Sequence, residues 1–216
     1  TINKMCGSGM KAAMMGFDQL AVGASNMMVV GGMESMTQAP YLLPKMRDGA
    51  RIGHGQVKDS MFLDGLEDAY EEGRLMGSFA EDCATHYQFR REDQDAYALR
   101  SLDRAKVAQS SGAFAHEISP VLLKTRKAEV KIVEDEQPGN ARPEKTPLLK
   151  PAFSEGGTVT AANSSSISDG AAALVIANTK VVETLGISPR AKILGHASHA
   201  QAPGWFTTAP IPATQR

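Results

Sequence analysis

The stretch from Met10 to Gly32 constrains the fold more than any other part of the chain. Met10, Ala13, Met14, Phe17, Leu20 and Ala21 recur at i, i+3, i+4 spacing and lay one apolar stripe along a helix. Gly16 lowers the helical propensity, and Gly23 stands where such a helix stops. Asn26-Met-Met-Val-Val30 then reads as a short strand closed by Gly31-Gly32. A strand apolar in every position is one buried on both faces, the habit of parallel sheets covered by helices. The expected fold class is therefore α/β, with a largely parallel sheet.

The rest of the chain alternates in the same way after one interruption. From about Thr37 to Gly65, Pro40, Pro44 and several Gly and Met residues break any periodicity. A loop that long inside a compact domain is functional or interfacial more often than not. Helices are expected at Ser78–Phe89 and Arg91–Ser110, the second opening on Glu92 and Asp93 and carrying Ala96, Leu99, Leu102, Ala105 and Val107. Ile118–Lys124 and Val130–Val133 read as strands, and Gln137–Leu148, with three prolines, as loop. Ala171–Ala177 reads as a small-residue strand, Thr179–Leu185 as a helix stopped by Gly186, and Arg190–Ala197 as a further strand.

Composition sets outer bounds. The 216 residues carry 23 basic against 24 acidic side chains, a formal charge of −1, and the basic residues are scattered. No electrostatic footprint for nucleic acid is present. The apolar runs are too short for a membrane-spanning helix, so neither nucleic acid nor membrane is an expected partner. Two cysteines make no disulfide framework, which favours a reducing, cytoplasmic compartment. The chain opens on Thr1 directly at a motif, and reads as a piece of something longer.

Two segments can carry chemistry. Cys6 precedes Gly7-Ser8-Gly9 at the start of the amphipathic helix, where backbone N–H groups and the helix dipole favour a thiolate and can stabilise an oxyanion. Cysteine is also a common buried small hydrophobe, so local features leave that alternative open. Cys83, mid-helix, has no such neighbours. The run Ala161–Gly170 is built of small and hydroxylic residues that suit a narrow channel for an extended ligand, or a plain turn. The five histidines form no metal-binding pair, the early methionines read as core, and no P-loop or dinucleotide fingerprint appears, so neither a metal nor a tightly bound cofactor is expected.

Taken together, several motifs resemble one family. Asn3-Lys-Met-Cys-Gly-Ser-Gly-Met10 is similar to the nucleophilic-cysteine motif of thiolases, the acetyl-CoA acetyltransferases. Val30-Gly-Gly-Met-Glu-Ser-Met36, Met76-Gly-Ser-Phe-Ala-Glu81, Arg91-Glu-Asp-Gln-Asp-Ala-Tyr97, the run from Gly157 to Ala171 and Thr208-Ala-Pro-Ile-Pro212 resemble further thiolase stretches, in order.

The resemblance implies a partial thiolase-like α/β fold, a mixed five-stranded sheet layered with helices and interrupted by an inserted α+β loop domain. Residues 1–36 would belong to the N-terminal half, 37–164 to the loop domain, 165–186 to the return into the N-terminal half, and 187–216 to the start of the C-terminal half. It makes Cys6 the acyl-accepting nucleophile, its backbone N–H part of an oxyanion hole. Ala161, Ser165 and Ile167 match positions along the pantetheine arm of coenzyme A, and Met76 and Phe206 match positions lining the acyl pocket. The expected reaction is the reversible condensation of two acetyl-CoA to acetoacetyl-CoA. The alternatives are a thiolase for longer 3-ketoacyl-CoA and a non-catalytic acyl-CoA or lipid binder. The Leu42–Lys58 stretch falls where thiolases place a tetramerisation loop, which implies a homo-oligomer, a dimer of dimers.

The sequence also departs from the family pattern. Leu75 stands where some thiolases have a His beside the Met-Gly pair. Arg142 and Lys145 read better as solvated loop charges than as contacts to the coenzyme A phosphates. The family's N-E-A-F, G-H-P and C-G-G-G stretches, with the catalytic His and second Cys, are absent, and Gly195-His196-Ala197 is no substitute. The 216 residues alone are expected to be inactive in condensation.

Overall fold

The computed structural model describes every residue of the chain except Lys127. The described residues group into two compact units, Thr1–Phe79 with Ser166–Arg216, and Ala80–Ser165.

In the first unit a helix α1 (Ser8–Ala21) packs on an antiparallel ribbon of β1 (Met27–Ser35) and β6 (Asp169–Ala177). Register runs from Met27 opposite Ala177 to Ser35 opposite Asp169. Both ends are fastened. The Asn178 N–H and side-chain amide donate to the Asn26 carbonyl and side-chain oxygen (3.1 and 2.9 Å), and the Thr37 N–H donates to Asp169 (3.0 Å). The first strand runs further than expected, through Gly31-Gly32 to Ser35, because β6 supplies a partner along its whole length.

Two expectations are corrected here. The strands of the described residues pair antiparallel, in three two-stranded sheets, and not in a largely parallel one. An apolar run is compatible with either direction, and the long connection between β1 and β6 imposes no parallel crossover. Only one face of the ribbon is covered by α1: Val30 is buried against it, while Val29 and Met33 on the opposite face are 73% and 79% exposed.

The helix also meets the ribbon on a different line from the predicted stripe. Met10 and Ala21 are exposed, whereas Gly16 is buried. A Cβ built on Gly16 would lie 2.6 Å from Val30 Cγ1 and 2.7 Å from Ile176 Cδ1, so only a residue without a side chain admits that approach. The glycine that weakens the helix locally is the one that lets it dock.

The remaining elements of this unit are short. A two-residue pair, β2 (Tyr41–Leu42) and β3 (Lys58–Asp59), closes the irregular excursion, and residues 41–57 are exposed throughout. A 3-10 turn (Met36–Gln38), a π-helical turn (Phe62–Leu66), helix α5 (Thr179–Thr184), a second 3-10 turn (Pro203–Thr208) and α6 (Pro210–Thr214) complete its described elements. The Asn178 side chain caps α5 by accepting from Val181 N–H at 3.0 Å. Residues 190–197, expected as a strand, are irregular, since no strand among the described residues pairs with them.

Helix α2 (Met76–Tyr87) leads into the second unit, which holds α3 (Arg91–Ser110), the hairpin of β4 (Val121–Lys124) and β5 (Glu129–Ile132), and α4 (Glu136–Asn140). The stretch read as loop, 137–148, instead makes α4 and a 3-10 turn at Pro143–Leu148, with Pro143 in the first turn, where its missing N–H costs nothing. Among the described residues of this unit Ala84, Pro138 and Val159 are the buried apolar ones. No helix among the described residues is long and apolar enough to cross a membrane.

Candidate active site

Cys6 sits one residue before Gly7, the N-cap of α1, in a turn locked by its own hydrogen bonds. The Asn3 side chain accepts from Met5 N–H (2.9 Å), Ser8 Oγ accepts from Lys4 N–H (2.9 Å) and donates to the Met5 carbonyl (2.7 Å), and Gly7 N–H donates to the Lys4 carbonyl (3.0 Å). Met5 is forced to φ 53°, left-handed for a side chain with every steric reason to avoid it. Strain of that kind, of order 1–3 kcal/mol, persists only where the surroundings over-determine it. Its effect is to turn the next residue outward, and Cys6 is exposed at the positive end of a fourteen-residue helix. That is a nucleophile's address: accessible, at a helix N-terminus, with Gly7 and Gly9 leaving room for a ligand. Cys83 is partly buried within α2.

Met76, Ile167 and Phe206 belong to the same unit as Cys6, and Ala161 and Ser165 to the second unit. Met76 is the first residue of α2 and half-buried, whereas Ala161, Ser165, Ile167 and Phe206 are exposed. Phe206 is not loose. Its ring meets the edge of Phe79, one turn along α2 from Met76, with centroids 5.9 Å apart at 76°. The Arg74 guanidinium covers the Phe79 ring at 3.9 Å. Beyond Ile167, Asp169 accepts from the Thr37 hydroxyl and N–H, and these hold its carboxyl below the usual carboxylate range.

His196 Nε2 lies 2.8 Å from Asp18 Oδ1, and its ring meets Phe17 edge-on at 5.6 Å. Asp18 is ten residues along α1 from Ser8, so at about 1.5 Å per residue the imidazole is held roughly 15 Å from the Cys6 end. Arg142 and Lys145 are exposed, and no group of three metal-ligating side chains forms among the described residues.

The segment 157–164 is fixed from two helices. The Glu81 carboxylate of α2 accepts from the N–H groups of Thr158 and Val159 (2.9 and 2.8 Å) and from the Thr158 hydroxyl (3.0 Å). On α3, Asp95 takes the Arg91 guanidinium at 2.7 Å and the Asn163 amide at 3.0 Å. Asn163 closes the loop by accepting from Thr160 N–H (2.7 Å) and donating to the Thr158 carbonyl (3.0 Å).

Residues 1–180 match the family described as thiolase, N-terminal domain. The chain belongs to the thiolase family. It is 43% identical over 212 residues to the acetyl-CoA acetyltransferase of Schizosaccharomyces pombe and 46% identical over 213 residues to acetyl-CoA acetyltransferase 1 of Arabidopsis thaliana, in each case over 97% of this chain. Among solved structures, it aligns over its whole length with a thiolase from Ascaris suum in complex with coenzyme A (42% identity, TM-score 0.91) and with the acetyl-CoA acetyltransferase of Bacillus anthracis (37%, 0.94). The α/β thiolase-like fold is thereby established. The thiolase chain spans about half the length of the relatives it matches, 53% and 51% of the two sequences and 55% and 54% of the two structures.

Sequence reasoning passed over Glu81 and Asp95 because charged residues read as solvated surface. For α3 the expected buried line included Ala96 and Val107, which are exposed in the thiolase chain, while Asp95 is buried. A signal did exist. Arg91 and Asp95 stand at i, i+4 on the same helical face as Leu99, Leu102 and Ala105, and an oppositely charged pair on an apolar face is one that neutralises itself inside.

Proposed function

We propose that this chain carries the nucleophile of a thiolase that joins two acetyl-CoA molecules into acetoacetyl-CoA and free coenzyme A, and runs the reverse cleavage. The Cys6 thiolate adds to the thioester carbonyl of one acetyl-CoA, and its collapse expels the coenzyme A thiolate and leaves acetyl-Cys6. The second acetyl-CoA loses an α-proton to a base, and its carbon attacks the acetyl carbonyl. The new C–C bond forms as the Cys6–acyl bond breaks. Donors at each oxyanion lower both barriers, and the Cys6 backbone N–H, at the mouth of α1, is assigned to one of them.

The observation that carries this reading is the exposed Cys6 thrown outward by left-handed Met5 before α1, in a chain 41–46% identical to proteins named acetyl-CoA acetyltransferase. Ala161, Ser165 and Ile167 are assigned to the pantetheine arm and Met76 and Phe206 to the acyl pocket. The α-proton's acceptor is not assigned within these residues, and His196, bound to Asp18, is not it. The exposed 41–57 stretch supports its use as an assembly surface in a dimer of dimers, and the two unpaired thiols agree with a cytoplasmic setting.

The test is acylation in the intact protein that bears these residues. Acetyl-CoA alone should leave one acetyl group on the peptide containing Cys6 and none on that containing Cys83. Cys6→Ser should abolish both acylation and turnover, and acetyl-CoA should protect Cys6 from iodoacetamide. Faster labelling of Cys83 than of Cys6, or acylation elsewhere, overturns the assignment.

A further inference from the structure

Residues 156–166 read Gly-Gly-Thr-Val-Thr-Ala-Ala-Asn-Ser-Ser-Ser, with Val159 the only large apolar side chain. Such a sequence cannot hold a shape by apolar packing, and its residues lose more conformational freedom on ordering than most. Yet Thr160 is completely buried, and the segment makes no regular element. Its conformation is set by hydrogen bonds, and two carboxylates supply the anchors.

We propose that Glu81 and Asp95 are positioning residues that shape the 157–165 segment to receive the pantetheine arm of coenzyme A, a role that rests on the thiolase reading above. Both side chains sit inside the second unit, the residues 8% and 6% exposed. Among the described residues Glu81 has no cationic partner. Its carboxylate is met by three donors, the N–H groups of Thr158 and Val159 and the Thr158 hydroxyl, so it is spent on this one segment. Asp95 is balanced by Arg91, whose Nε donates to it and whose Nη2 donates to the Thr146 and Leu149 carbonyls at 2.8 and 3.1 Å. That leaves Asp95 Oδ1 for Asn163. Gln94 adds a contact to the Thr158 hydroxyl at 2.9 Å.

Buried charge is an indifferent way to gain stability, since an apolar plug of equal volume serves as well or better. What it gives is one geometry, because donors and acceptors must all be matched at once. Thr158, Val159 and Asn163 meet these anchors and Asn163 in turn holds the Thr160 N–H, while Ala161 and Ser165 remain exposed. Gly157 is part of the same fit: a Cβ there would strike Glu81 Oε1 and Ser154 Oγ and stand 2.7 Å from the Glu81 carboxyl carbon.

The intact protein tests this with two acetyl donors, acetyl-CoA, which carries the arm, and S-phenyl thioacetate, which lacks it. Glu81→Gln sets an amide N–H against backbone N–H groups that need an acceptor. It should slow acylation of Cys6 by acetyl-CoA about tenfold, through KM, the size expected for loss of one charge-assisted hydrogen bond. Acylation by S-phenyl thioacetate should be unchanged. Gly157→Ala, which displaces the carboxylate without changing charge, should give the same split and serves if Glu81→Gln fails to fold. Equal loss with both donors, or no loss with acetyl-CoA, overturns the positioning role while wild-type acylation stands. If wild-type Cys6 takes acetyl from neither donor, the thiolase reading itself falls, and this role falls with it.

Discussion

Gly32 of β1 lies against Gly9 of α1 so closely that a Cβ on Gly32 would stand 2.9 Å from the Gly9 Cα and 3.0 Å from its nitrogen. Backbone meets backbone there, and nothing flexible can yield. The contact seats the first turn of α1 on the ribbon, three residues from Cys6. Gly32→Ala should lift that turn and misplace Cys6, and a displacement near 1 Å of a reacting group costs about a hundredfold in rate. The check is the rate of Cys6 acylation by acetyl-CoA. Gly139→Ala, where nothing lies within 4 Å, should leave that rate alone.

How far the sequence discloses this arrangement depends on the range of the force involved. Helix α3 is legible almost to the residue, because its acidic first turn and its length are local properties. The place of Cys6 just ahead of α1 is legible too, as its motif is contiguous. The direction of β1 against β6 is not, since the two strands meet from opposite ends of the chain and an apolar run has no polarity of its own. Residues 190–197 look like a strand by composition but have none to pair with among the described residues. Glu81 is the hardest case. Its donors lie 77 and 78 residues away, and without those partners a carboxylate reads as solvent-facing.

Phe79, 1% exposed, joins Arg74 above it to Phe206 beside it, and the Gly204 backbone leaves room for its ring, with a Cβ there 3.7 Å from Phe79 Cε1. Phe79→Ala should cost about 3–5 kcal/mol, the usual penalty for emptying a buried aromatic site. Urea denaturation of the intact protein measures it. Phe206 would lose the Phe79 ring at its edge, so tolerance for a longer acyl chain should rise in the more conservative Phe79→Leu, read as the ratio of kcat/KM for acetyl-CoA and a longer acyl-CoA.

Among the described residues His196 is the imidazole held against α1, and its chemistry is separable from its position. Bound to half-exposed Asp18, it contributes a surface ion pair worth about 0–1 kcal/mol when charged. His196→Gln should therefore leave Cys6 acylation within about twofold of wild type, since a pair of that strength, at the far end of α1, does not reach the thiol. A loss of a hundredfold or more in the acylation assay would instead make His196 part of the chemistry.

Asp169 gives the fold a dependence on acid. The Thr37 hydroxyl, then the Thr37 N–H, favours the charged carboxylate and lowers its pKa in the folded state below that of the unfolded chain. A depressed carboxyl contributes stability that is fully present above the unfolded value, about 4, and is lost as pH falls through the folded value. The clip joins the end of β1 to the start of β6, so its loss should loosen the ribbon at the Ile167 end. Thr37→Val removes the hydroxyl donor but keeps the N–H, and should move the Asp169 carboxyl back toward its ordinary value. Carboxyl-carbon NMR titration reads that shift directly. In urea denaturation at a series of pH values, the variant should start with a lower midpoint at pH 6 and lose less of it than wild type on the way to pH 3, because less of its stability depends on the charged form. Equal acid sensitivity in the two proteins would place the pH dependence elsewhere in the fold.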